Sequence, residues 1–316
     1  MIHGVINIYK EKGFTSHDVV AKLRGIVNQK KIGHTGTLDP DAEGVLPVCL
    51  GKATKLCDML TDKDKTYETV LLLGRVTDTQ DTTGTVLEEK STDALTEEAV
   101  REAIQSFEGA YSQIPPMYSA LKVNGRKLYE LAREGKEVER KPRTVTIHSI
   151  RILEVKLPEV RMEVTCSKGT YIRTLCHDIG EKLGCGGCMQ MLLRTRVERF
   201  TAADSIRLEE AERLFREGRL MDKVIAIDAM FPQYRALCLK PETAKAVRCG
   251  NGFRKDGIVS ADPEEKFTDG ELVRVYDEAR RFIAIYEYRG KEHYFKIVRM
   301  FFDDNTGGAY PPCEEK

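Results

Sequence analysis

The 316-residue chain is long enough for two domains, and its 41% hydrophobic and 32% charged residues fit a globular protein rather than a disordered one. Fifty Lys and Arg balance fifty Asp and Glu, so no global field marks a nucleic-acid binder. No apolar run approaches the roughly 18 residues of a membrane span, "MIHGVINIYKEK" lacks the pattern of a signal peptide, and nine cysteines without framework spacing suit a reducing compartment, so a cytoplasmic protein is expected.

Ser16 to Asn28 predicts an amphipathic helix. Thr15 or Ser16 can cap it, and Val19, Val20, Leu23, Ile26 and Val27 fall on one face. "GHTGTLDPDAEG", Gly33 to Gly44, follows and packs three carboxylates, a histidine, three glycines and a proline into one loop. Four chemistries compete for it. An EF-hand starting at Asp39 needs a bidentate Glu at its twelfth position, where Leu50 stands. A P-loop ending in "GKAT" fails because Ala53 follows Lys52 and Leu46 occupies the position of the first glycine. The GXXG of a KH domain matches "GHTG", but Pro40, Gly44 and Pro47 oppose a helix right after Gly36. The fourth is a catalytic carboxylate. Pro40 keeps Asp39 extended, and flanking glycines admit a close ligand. An ordinary turn with solvated acids explains the same residues equally well.

Tyr67 to Leu73 predicts a buried strand ended by Gly74, and Thr96 to Phe107 a helix with acids in its first turn. The segment Lys122 to Arg143 holds eight basic and four acidic residues, which can bind a polyanion or form a solvated face. Val160, Met162, Val164 and Cys166 alternate with polar residues as a strand with one wet face. Ile172, Leu175, Ile179 and Leu183 form the stripe of a helix stopped by Gly184. Cys185 and Cys188 make the only CxxC. With no second ligand pair and only His177 nearby, no metal site is expected, though an adventitious disulfide is open. "FPQYRALCLKP" reads as a boundary near Met230. Beyond it, "ELVRVYD", "RFIAIYEY" and "HYFKIVRMFF" predict a small, mostly-β module, and "DDNTGGAYPPCEEK" a loose tail.

"GHTGTLDPDAEGVLPVCLGKATK" strongly resembles the catalytic motif of the TruB family, the tRNA pseudouridine-55 synthases. "KEKGFTSHDVV", "DKTYE", "LGRVTDTQDTTG" and "CSKGTYIRTLCHDIGEKLGCG" match further blocks in the family's order. "IPPMYSALKVNGRKLYELAREGKEVERKPR" looks like its RNA-contacting insertion. The resemblance spans roughly Gly4 to Phe200, and Met230 to Phe302 resembles the family's PUA-type module more loosely.

The resemblance implies an α/β (α+β) fold: a mixed, largely antiparallel central sheet with flanking helices over residues 1–230, an RNA-contacting insertion at about 112–143, and a PUA-like RNA-binding module over 231–316. It implies a monomer that isomerises uridine 55 in the T-arm of tRNA, by base flipping and without any cofactor. By motif match Asp39 is the essential carboxylate, attacking C1′ or C6 or assisting elimination. Tyr67 stacks on the uracil, and Arg173 pairs with Asp39, which favours its charged form and fixes its rotamer. His34, Tyr171, Lys12, Asp81 and Leu193 are expected at the substrate. Tyr118, Lys122, Arg126 and Lys127 are expected on RNA. An RNA chaperone without chemistry is the rival reading, and a hydrolase releasing free uracil a more distant one.

Overall fold

The structure is a computed structural model that describes residues 1–259 and 266–302. The tail expected to be loose lies outside these residues.

Strand β1 (Gly4–Lys10) leads into helix α1 (Ser16–Ile26). Thr15 caps that helix reciprocally: its hydroxyl accepts from Asp18 N, and the Asp18 carboxylate accepts from Thr15 N. Val19, Val20 and Leu23 are buried on the expected face. Then come β2 (Ile32–His34), β3 (Glu43–Leu50), helix α2 (Cys57–Thr61) and β4 (Lys65–Leu73). The hairpin β5 (Arg75–Thr77) and β6 (Val86–Glu89) precedes α3 (Glu97–Gln105) and β7 (Gly109–Gln113). A small hairpin, β8 (Lys122–Val123) and β9 (Arg126–Lys127), runs into α4 (Leu128–Arg133). The long strands β10 (Arg143–Lys156) and β11 (Glu159–Cys166) are followed by α5 (Ile172–Lys182), β12 (Gly187–Val197), β13 (Phe200–Thr201), α6 (Leu208–Arg216) and β14 (Val224–Ile225).

These strands build one mixed sheet in the order β14-β1-β3-β12-β4-β11-β10-β7, with β2 paired to β3 and β13 to β12. Every pairing is antiparallel except β12 with β3, where Leu193 faces Glu43 and Arg194 faces Gly44. The fold expectation is therefore met: the sheet is mixed, largely antiparallel and flanked by helices. The strand read at Tyr67 begins two residues earlier, at Lys65. One core packs α3 and α5 against β4, β10 and β11 through Val100, Ile104, Leu71, Met162, Leu175 and Ile179. A second packs α1 and α6 on the opposite end, through Leu23, Leu46 and Leu214 among others.

The last unit is also β-rich, as expected. Its sheet runs β15 (Arg235–Cys238), β16 (Leu272–Tyr276), β17 (Phe282–Arg289) and β18 (Tyr294–Met300). The stretch Phe231–Pro241, read above as a boundary, supplies the first strand of this sheet, parallel to β16. Pro241 starts helix α7 (Pro241–Arg248), in the first turn, where the N–H has no intrahelical partner to lose. Tyr276, Phe282, Ile285 and Phe301 share a buried cluster with Val5, Val45 and Cys49, so this sheet packs directly on the larger one.

Candidate active site

The loop Thr35–Ala42 is neither helix nor strand, as the prolines require. It feeds β3 at the single parallel seam of the sheet. Leu38 and Ala42 are buried in the core under α5, and they hold Asp39 up between them. The Leu38 amide donates to Ser16 Oγ at 2.9 Å. Lys10 Nζ donates to Pro40 O at 3.0 Å, and also to Glu11 O and Phe14 O. Arg194 closes the other flank, donating to Val45 O at 2.7 Å and, at 3.4 and 3.5 Å, to Gly36 O and Thr37 O. Two buried cations thus strap the loop through its carbonyls.

Asp39 is half-buried, with 38% of its side chain exposed. Arg173, buried in the first turn of α5, meets it with a fork: Nε lies 3.0 Å from Oδ2, and Nη2 donates to Oδ1 at 3.2 Å. The same guanidinium donates to Thr79 O and Tyr118 O, and its Nη1 lies 3.8 Å from Asp81 Oδ2. Sequence reasoning expected the arginine to favour the charged carboxylate. It does pull that way, but burial is the larger effect, and the nearby Asp81 charge adds to it. The Asp39 carboxyl is held above the usual aspartate value.

Tyr67 is buried on β4, its phenol paired with Arg194, and burial pushes its pKa up. Asp39 is close enough to act on it electrostatically, and on Tyr171 too. Tyr171 is the N-terminal cap residue of α5. Its amide donates to Gln113 Oε1, and its carbonyl accepts from Gln113 Nε2. Asp81 also organises its own turn, accepting from Thr79 Oγ1 and from the amide and hydroxyl of Thr83. His34 ends β2, half-buried, edge-on to His17 at 5.7 Å. Burial first, then the charges of His17 and Arg194, lower its pKa.

The remaining candidates lie further out. Lys12 is exposed and 3.9 Å from Asp41. Leu193 is half-buried on β12, opposite Glu68 and Glu43. Tyr118 reaches the centre only through its carbonyl on Arg173. Lys122, Arg126 and Lys127 form the β8–β9 hairpin, with Arg126 bonded to Glu134, and Lys127 to Tyr129 at 3.1 Å. The insertion is hung on the site at two points, Gln113 to Tyr171 and Tyr118 to Arg173. Among the described residues no cluster of three His, Cys, Asp or Glu could hold a metal. Cys185 and Cys188 are both buried free thiols.

Sequence reasoning missed Lys10 and Arg194. A lysine closing an apolar strand and an arginine in "LLRTR" carry no local signal that sets them apart from surface charges. Only the register, which sets Lys10 against Gly44 and Arg194 beside the same glycine, reveals them as internal.

The profile described as "TruB family pseudouridylate synthase (N terminal domain)" matches residues 24–172, and "tRNA pseudouridylate synthase B C-terminal domain" matches 173–231. The chain is 54% identical over 311 residues to tRNA pseudouridine synthase B of Lachnoclostridium phytofermentans, covering 95% of this chain and all of the relative. It is 44% identical over 305 residues to the protein of the same name from Alkaliphilus oremlandii, covering 96% and 99%. Among solved structures it resembles a chain of a Cbf5-Nop10-Gar1 complex, with TM-score 0.70, 27% identity and coverage of 95% and 85%. It also resembles a chain of an H/ACA RNP bound to a substrate RNA containing 2'-deoxyuridine, with TM-score 0.69, 26% identity and coverage of 96% and 86%. Fold and relatives define a pseudouridylate synthase, an RNA-modifying isomerase. The chain belongs to the TruB family of these enzymes.

Proposed function

We propose that this enzyme isomerises uridine 55 in the T-arm of tRNA to pseudouridine, with Asp39 as the catalytic carboxylate. The observation that carries the reading is the forked Arg173–Asp39 pair, with the carboxylate partly open to solvent. A carboxylate fixed in plane and rotamer suits attack on C1′ or C6, or assistance to elimination across the sugar. The uridine reaches it by flipping out of the folded loop. Tyr67 and Tyr171 then line the uracil, and His34 fills space near the vacated stack. Asp81 steadies Arg173, and Leu193 and Lys12 border the RNA.

Residues 1–230 carry the chemistry. The insertion at about 112–143 grips the T-arm through Lys122, Arg126 and Lys127, and residues 231–316 form an RNA-binding module. The attachment of the insertion to Arg173 and Tyr171 supports a link between RNA grip and site geometry. Among the described residues no helix is long and apolar enough to cross a membrane. The reading takes the enzyme as a cytoplasmic monomer meeting tRNA there.

The test is to incubate the purified protein with unmodified tRNA and map pseudouridine by nucleotide. Asp39→Asn should bind tRNA nearly as well and form none. Product from that variant overturns the assignment of Asp39. Release of free uracil would mark a hydrolase instead.

A further inference from the structure

Two cysteines outside this chemistry share one face of the sheet. Cys49 is fully buried in β3, directly opposite Gly33 of β2. Side chains directly opposite across an antiparallel pair project to the same face. A Cβ placed on Gly33 would lie 3.1 Å from Cys57 Sγ. Cys57 therefore sits over the face from which the Cys49 side chain rises, and the two join one apolar cluster. The thiols act directly on each other. The Cys49 contact, opposing burial, draws the Cys57 pKa down, while the Cys57 contact and then burial push Cys49 up.

The other side of Cys57 is open. It lines a cavity of about 520 Å³ together with His17, Arg24, Lys30, Lys31 and His34, and no carboxylate belongs to that wall. Such a wall attracts anions, while the adjacent Asp58 carboxylate opposes the Cys57 thiolate, which the Cys49 contact favours. The other interior thiols differ: burial pushes Cys166 and Cys176 up to about 12 and Cys188 to about 11. Cys57 alone among these combines a partner thiol, a cationic wall and access.

We propose that Cys57 is a peroxide-reactive thiol which Cys49 resolves to a reversible disulfide in the wall of the basic cavity, weakening RNA binding beside His34. The Cys57 thiolate attacks one oxygen of a hydroperoxide. The O–O bond breaks, leaving Cys57 sulfenic acid, and for hydrogen peroxide the departing hydroxide takes a proton to become water. The Cys49 sulfur then attacks Cys57 and expels the second hydroxide, which takes the Cys49 proton. Two thiols lose two electrons, one peroxide gains them, and two waters form. The new bond draws α2 onto β3 and moves the cavity wall.

The RNA half of this proposal rests on the tRNA function given above; the thiol half does not. The full chain is treated with hydrogen peroxide, alkylated and peptide-mapped. A Cys49–Cys57 disulfide is expected. Cys49→Ser should halt at a Cys57 sulfenic acid trapped by dimedone, and Cys57→Ser should form neither. Affinity for unmodified tRNA should fall severalfold on oxidation, return with dithiothreitol and stay constant in Cys57→Ser. A Cys57 still open to alkylation after peroxide overturns the site, and a disulfide with unchanged affinity overturns the switch. Pseudouridine formation by the reduced protein is scored separately, so failure of the function and failure of the thiol pair are distinguishable.

Discussion

The Arg173 guanidinium meets the Asp39 carboxylate edge to edge, with one nitrogen on each oxygen at 3.0 and 3.2 Å. Two parallel bonds fix a plane, which a single charge cannot do. Arg173→Lys keeps the charge and loses the fork. We expect kcat to fall about 100-fold from the misplaced carboxylate, with the dissociation constant for tRNA little changed. Single-turnover kinetics and filter binding read the two separately. An unchanged kcat would mean that Asp39 is positioned by its loop alone.

The raised pKa of Asp39 gives a pH signature with a defined sign. Each proposed route needs the ionised carboxylate, so activity is present at high pH and lost as Asp39 takes up a proton. Because burial holds the group above its ordinary value, the acid limb should lie above the roughly 4 of a free carboxylate. Arg173 opposes that shift, so Arg173→Lys, with its weaker hold, should move the limb higher. Stability runs the opposite way. The folded state keeps this proton to higher pH than the unfolded state, so its contribution is full below the unfolded pKa and is lost as pH rises through the folded one. Asp39→Asn should remove that slope from denaturation curves across the same window. A limb at or below the free value would refute the burial argument.

Much of this was legible in the chain. The capping residue and apolar stripe of α1, the alternation of β11 and the stripe of α5 are local signals, and local physics set those elements. Asp39 was legible only as one of two equal readings until four distant blocks accompanied it. Lys10 and Arg194 were hidden because burial of a cation depends on which carbonyls the sheet register delivers to it. The strand at Arg235 was hidden for a related reason: β15 is four residues long and is stabilised by a partner, β16, more than thirty residues away. The balance between burial and Arg173 at Asp39 is likewise a property of the assembled site.

Gly44 exposes how tightly the Asp39 loop is seated. Its φ is +105°, a conformation that L side chains rarely adopt, and a Cβ there would lie 2.2 Å from Arg194 O. Backbone at the parallel seam cannot yield as a flexible side chain could. Gly44→Ala should destabilise the protein by about 3 kcal/mol or more, the scale of core overpacking with backbone strain added. Urea denaturation checks it. The neighbouring Asp41→Ala, at an exposed loop position, should stay within about 0.5 kcal/mol of the parent. Equal effects at the two positions would show that the seam tolerates movement and that the loop is not held there.

The β8–β9 hairpin offers a test of RNA grip separate from chemistry. Arg126 already spends part of its charge on Glu134, and Lys127 leans on Tyr129, whereas Lys122 is exposed. Each phosphate contact contributes roughly 0.7 to 0.9 to the slope of log affinity against log salt. Replacing Lys122, Arg126 and Lys127 together by Gln should flatten that slope by about 1 to 2, less than three full contacts because Glu134 competes for Arg126. KM should rise while kcat at saturating tRNA holds, provided the insertion keeps its bonds from Gln113 to Tyr171 and from Tyr118 to Arg173. A fall in kcat with an unchanged slope would instead assign the hairpin to positioning Arg173 and Tyr171 through those two attachments.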